Sequence, residues 1–160
     1  MGTGTKILAG TAIGASLVAG VSYYMNIRRA KGTLEVKPKA YLHKLDWNGL
    51  TIRVDAILKN PTKASFSIKF PYVKVEHKDT LLGSSQVLNK DIKIPAYGET
   101  LIKDIMIVIP VMSFFSVVYE LIKALNAKQP VSLIVKTITT IDLGWSRMPF
   151  EDKKEVVIQK

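Results

Sequence analysis

Leu50-Thr51-Ile52-Arg53-Val54-Asp55-Ala56-Ile57-Leu58-Lys59-Asn60-Pro61 is the stretch that decides how this chain folds. Leu50, Ile52, Val54, Ala56 and Leu58 fall on one face and Arg53, Asp55 and Lys59 on the other, the period-two alternation of a strand with one buried side. Asn60-Pro61 ends it, because Pro lacks the donor that a continued ladder needs and Asn before it favours a turn.

The same alternation extends in both directions. Upstream, Thr33 to Lys37 and Tyr41 to Leu45 are short strand candidates. Downstream, Phe66, Ile68 and Phe70 share a face, Pro71 marks a bulge or strand switch, and Val73 and Val75 resume on the opposite parity. A hairpin turns through His77-Lys78-Asp79-Thr80 to Leu81-Leu82-Gly83. Further strands are expected at Ile92 to Ile94, Leu101 to Ile109, Val131 to Ile141 and Glu155 to Gln159, with turn signals at Ala96-Tyr97-Gly98 and around Leu143-Gly144-Trp145. One segment departs from this pattern. From Pro110 to Asn126, Phe114, Val118, Leu121 and Leu125 recur at helical spacing, with Ser113 placed to cap and Pro130 beyond the end. Short strands with one inserted helix predict a mainly β sandwich.

Ahead of this body, Ile7 to Met25 contains no charged residue, and nineteen helical residues rise roughly 28 Å, enough to cross a bilayer. The segment reads as a single N-terminal transmembrane helix. Ile7, Leu8, Ile13, Leu17, Val18 and Val21 supply its apolar surface. Gly10 with Gly14, and Ala12 with Ser16 and Gly20, repeat at four-residue spacing and would let a second helix approach. Tyr23 and Tyr24 sit where an interfacial aromatic belt belongs. A cleaved signal peptide is the competing reading, with Lys6 as its basic region and Val18-Ala19-Gly20 as its site. Myristoylation at Gly2 lacks the Ser or Thr wanted at position 6, which is Lys.

The chain carries 23 Lys and Arg against 13 Asp and Glu, a formal net charge of +10, which favours anionic partners. Arg28, Arg29, Lys31, Lys37 and Lys39 crowd the segment after the span and are the expected contacts to lipid headgroups. By the positive-inside rule they put the body on the cytoplasmic side of a single-pass membrane protein. The organisation expected is an anchor over 1–27, a basic juxtamembrane segment with the first strands over 28–48, and the sandwich over 49–160. There is no cysteine, so stability must come from packing, and the redox compartment stays open.

In order along the body, Val54 to Pro61 ending in Asn-Pro, Phe66 to Val75, Leu82-Gly83-Ser84-Ser85 and Ile94-Pro95-Ala96-Tyr97-Gly98-Glu99-Thr100 resemble the type 2 late embryogenesis abundant family, whose domain is also called the water stress and hypersensitive response domain. The resemblance implies a seven-stranded antiparallel sandwich of immunoglobulin or fibronectin type, without an active site and often attached to membranes.

Chemistry is hard to assemble from what remains. His43 and His77 lie in separate strands with no metal or triad spacing, and the carboxylates are scattered, although Asp55 or Asp104 could meet another across a sheet. Gly2-Thr3-Gly4 opens no phosphate loop. Lys69, Tyr72 and Lys74 offer a basic face with too few aromatics to stack bases, so no specific nucleic acid is expected. Trp47 and Trp145 are expected to plug the sandwich ends. No catalytic, metal or cofactor site is expected. The reading is a non-enzymatic membrane-anchored structural or interaction module whose partners are a lipid membrane and another protein or further copies of itself. Two alternatives stand beside it: a minor structural protein of a virion, tying an internal membrane to the capsid, and an exported lipid-handling domain with a cleaved signal peptide.

Overall fold

The computed structural model describes residues 34–144 and 146–159. The span expected over Ile7 to Met25 and the basic residues Arg28, Arg29 and Lys31 lie outside them. Among the described residues no helix is long and apolar enough to cross a membrane.

The stretch opened by Leu50 forms β2 (Gly49–Lys59), in which Leu50, Ile52, Val54, Ala56 and Leu58 are all fully buried. It is the middle strand of a three-stranded antiparallel sheet, between β1 (Glu35–Asp46) and β7 (Glu99–Pro110). The two short candidates upstream are therefore one strand. It runs through Pro38, which is tolerated because β1 is an edge and nothing needs its missing N–H. β1 pairs with β2 from Glu35↔Lys59 to Asp46↔Gly49.

The second sheet contains β3 (Phe66–Lys69), β4 (Tyr72–His77), β5 (Thr80–Ser84), β6 (Asp91–Ile94), β8 (Ser132–Asp142) and β9 (Arg147–Val157). β3 and β4 run in the same direction along the same flank of β8, interrupted at Phe70-Pro71. The Thr139 hydroxyl donates to the Lys69 carbonyl at 2.5 Å, satisfying an acceptor that the interruption strips of a ladder partner. β5 and β6 together flank this broken strand on its other side. Among the described residues nine strand elements thus fill seven strand positions, three in one sheet and four in the other. β9 is far longer than the Glu155 to Gln159 expected. Its first half is Arg147-Met148-Pro149-Phe150-Glu151-Asp152, where the short alternation of Met148 and Phe150 spans Pro149, yet as the outer strand on β8 it pairs from Asp142↔Arg147 onward.

The inner faces of the two sheets meet in one core, with Ile52, Ile107 and Ile109 from one and Ile68, Val75, Leu133 and Ile141 from the other. Each such side chain contributes about 1.5–3 kcal/mol by leaving water. The connection between the sheets at one end is α1 (Phe115–Asn126), which buries Val118, Leu121 and Leu125. Ser113 is exposed and does not cap it. A turn closed by Phe114 N–H donating to the Val111 carbonyl takes up Ser113, so Phe114 becomes the cap position without a side-chain bond. The helix ends in a Schellman motif, with Lys128 left-handed at φ 56° and the Gln129 N–H donating back to the Ala124 carbonyl at 2.9 Å.

Candidate interaction surface

Two ends of the molecule differ in chemistry. At the proximal end the described chain begins at Leu34 and β2 leaves its sheet at Asn60. Asn60 is 1% exposed, and its side-chain amide is fully used. Nδ2 donates to the Ala64 carbonyl at 2.8 Å and to the Pro95 carbonyl at 2.9 Å, while Oδ1 accepts from Thr62 N–H at 3.0 Å and from the Thr62 hydroxyl at 2.7 Å. The backbone adds Asn60 N–H to the Gly98 carbonyl and Tyr97 N–H to the Thr62 carbonyl, both 2.9 Å. The Asn-Pro motif and the Ile94 to Thr100 motif are therefore one hydrogen-bonded knot. Near it an open groove of about 730 Å³ runs between β1 and β9, lined by Leu34, Val36, Asp152 and Val156 among others.

The opposite end is closed by α1. Gly49 pairs with Pro110, which puts the β1–β2 turn beside the β7–α1 turn, and Lys78 at the tip of the β4–β5 hairpin reaches Glu120 of the helix at 3.7 Å. His77 Nδ1 lies 3.1 Å from the Ser132 carbonyl and so must carry the proton it donates. On this end Trp47 is 100% exposed, Met112 91%, Phe115 65% and Tyr119 59%, with the rings of the last pair stacked at 6.3 Å between centroids. Trp47 plugs nothing. It stands in a turn held by the Asp46 carboxylate, which accepts from Asn48 and Gly49 N–H groups, so its side chain is turned away from the core. Trp145 lies outside the described residues.

Of the expected headgroup contacts, Lys37 and Lys39 are exposed on alternate positions of β1, and Lys37 lies 3.8 Å from Glu35. The possible carboxylate pair resolves into a brace. Arg53 lies over the Tyr41 ring at 4.6 Å from the centroid, 3.5 Å from Asp55 and 3.9 Å from Asp104, and the Asp55 carboxylate accepts the Asp104 N–H at 3.0 Å. Asp104, left-handed at φ 61°, sits in the bulge where Lys103 and Asp104 face the single residue Asp55. The cluster holds a bulge in an edge strand, a conformation that discourages edge-to-edge pairing. Lys74 lies over Tyr72 at 5.7 Å and Lys69 pairs with Asp91 at 2.7 Å, so this basic face is engaged within the fold. Among the described residues no group of three His, Cys, Asp or Glu could hold a metal ion.

No family model matches the chain, and no curated protein matches it. Solved structures are similar in shape. A crystal structure of a protein from Archaeoglobus fulgidus covers 80% of this chain and 99% of its own at 15% identity, with a TM-score of 0.48. A solution structure from Arabidopsis thaliana covers 78% and 80% at 15% identity and a TM-score of 0.47. A solution structure of a protein described as late embryogenesis abundant covers 91% and 86% at 15% identity and a TM-score of 0.35. Likenesses of this size say nothing of what the chain does.

The apolar cluster of the helix end was only partly legible in the sequence. Phe114 and Phe115 stand out there as adjacent aromatics, but the structure separates them: Phe114 packs against the core and Phe115 faces solvent. Trp47 and Met112 join Phe115 only through the Gly49↔Pro110 pairing, a juxtaposition across some sixty positions that no local pattern encodes.

Proposed function

We propose that this chain is a non-enzymatic structural or interaction module, built on the type 2 late embryogenesis abundant sandwich and held at a membrane by its N-terminal segment. The Asn60 knot carries the reading. Residues from two of the family-like motifs join two turns to each other, with the amide of Asn60 saturated by main-chain and Thr62 partners, so this amide serves the fold. A domain whose distinctive residues are structural works through its surfaces and its placement.

Placement is supported by the uncharged stretch from Ile7 to Met25 and by the basic residues that follow it, which favour anionic headgroups. The exposed Lys37 and Lys39 continue that basic character onto β1. Flotation of the full-length protein with vesicles, followed by alkaline carbonate washing and intact-mass measurement, tests the reading. Retention after the wash with the N-terminus intact is expected. Release by carbonate, or a mass lacking the first twenty residues or so, overturns it.

A further inference from the structure

We infer that the helix end is a second lipid-docking surface, one that engages a bilayer opposite the one holding the N-terminal segment. The inference rests on the anchored reading above and adds to it the far end of the domain.

Four side chains make the surface: Trp47, Met112, Phe115 and Tyr119, each more than half exposed, from two turns and the outer face of α1. Leu45, next to the Trp47 turn on β1, and Leu81, in the hairpin whose tip reaches Glu120, are also exposed. Trp and Tyr with an apolar body and a polar tip are the residue types that settle at a bilayer interface. The groups project from turns and a helix, and none of them lines a groove described in this molecule. A lipid interface accepts such a convex tip, whereas a protein partner would need a complementary surface of about 800 Å² on each side.

The chain's net charge of +10 favours an anionic surface. At this end Lys44 is paired with Asp46 at 2.7 Å and Lys78 with Glu120 at 3.7 Å, with Asp79 beside Lys78 in the hairpin turn, while Lys123 lies one helical turn beyond Tyr119 on the outer face of α1. A second copy is disfavoured as occupant, because a chain with a net charge of +10 repels itself.

Direction comes from β1. It starts at the proximal end and reaches the Trp47 turn twelve residues later, so the tip stands roughly 36 Å from where the chain enters the domain. With the basic segment holding the proximal end against one membrane, the tip presents itself to another.

Vesicle bridging tests this. Full-length protein is reconstituted into donor vesicles of phosphatidylcholine and phosphatidylserine and mixed with fluorescent, protein-free acceptor vesicles of the same composition. Capture of acceptors by donors is expected, falling at least about tenfold for the Trp47→Ser, Phe115→Ser double variant, whose substituted side chains are exposed and whose fold is checked by circular dichroism. Donors that float with the protein yet capture nothing, or a double variant that captures as well as the parent, overturn the tip. Capture that depends on the tip and persists with acceptors of phosphatidylcholine alone overturns the charge argument. Protein that fails to float with its donors overturns the anchored reading instead.

Discussion

Asn60 and Pro95, thirty-five positions apart, are joined by a hydrogen bond from the Asn60 side-chain amide to the Pro95 carbonyl at 2.9 Å. It is one of four bonds that saturate this buried amide. Replacing Asn60 by Ala removes all four, leaving the Ala64 carbonyl only a 3.4 Å contact from the Thr62 hydroxyl and the Pro95 carbonyl only the Gly98 N–H at 3.3 Å, so Asn60→Ala is expected to lose about 3 kcal/mol in urea denaturation. Asn60→Asp should lose at least as much, because a carboxylate turns two attractive contacts with carbonyls into repulsive ones. An Asp variant as stable as the parent would show that the two bonds from the amide to carbonyls contribute nothing to stability.

Gly49 and Gly144 both have positive φ, at 155° and 83°, and differ in surroundings. A Cβ at Gly49 would stand 2.2 Å from the Ile109 carbonyl oxygen, which belongs to the neighbouring strand and has no room to withdraw. At Gly144 nothing lies within 4 Å. Gly49→Ala is therefore expected to cost well over 2 kcal/mol in thermal or chemical unfolding, and Gly144→Ala only about 1 kcal/mol, the conformational part alone.

The helix has an inner and an outer face with separable roles. Leu121→Ala leaves a cavity beneath α1 and is expected to cost about 2–4 kcal/mol, whereas Phe115→Ser should change stability by less than about 0.5 kcal/mol. Denaturation midpoints of the two variants, measured side by side, check the contrast.

Acid should loosen two turns. The Gly144 N–H and then Arg147 hold the Asp142 carboxyl below its ordinary 3.8, and the Lys44 ammonium and then the Asn48 N–H do the same for Asp46. Groups with lowered folded-state pKa stabilise above the unfolded value and lose that contribution as pH falls through the folded one. Melting temperature is thus expected to be insensitive to these groups from pH 7 to about 5 and to fall below about 4. Carboxyl carbon titration by NMR should place both midpoints under 3.8. Lys136, raised by its 2.8 Å contact with Glu151, contributes at the other extreme and loses its part only above 10.5.

The strands with one buried face announce themselves in the sequence, as β2, β8 and the Phe66 to Val75 region do, because alternation there is enforced by a core on one side. Edge strands do not. β9 carries Pro149 and the charged run Glu151 to Glu155 because only one of its flanks must bond, so Met148 and Phe150 leave too short an alternation to read as a strand. The two-residue turn at Lys78-Asp79, both left-handed at φ 46° and 64°, is the type I′ geometry usually filled by Asn-Gly, yet the strands around it are strong enough to impose it. Of the surface features, the basic run was plain from composition, while the tip depended on register between distant strands.

The pairing of β1 with β2 along their whole length has a mechanical consequence. Antiparallel bonds lie across the strand direction. A pull on residue 34 that is resisted through β2 and the rest of the sheet runs along β1, so the bonds to β2 share the load at once, as in a glued lap joint, instead of parting one after another from an end. The strand that receives the N-terminal segment is thereby the one best placed to carry tension through the domain.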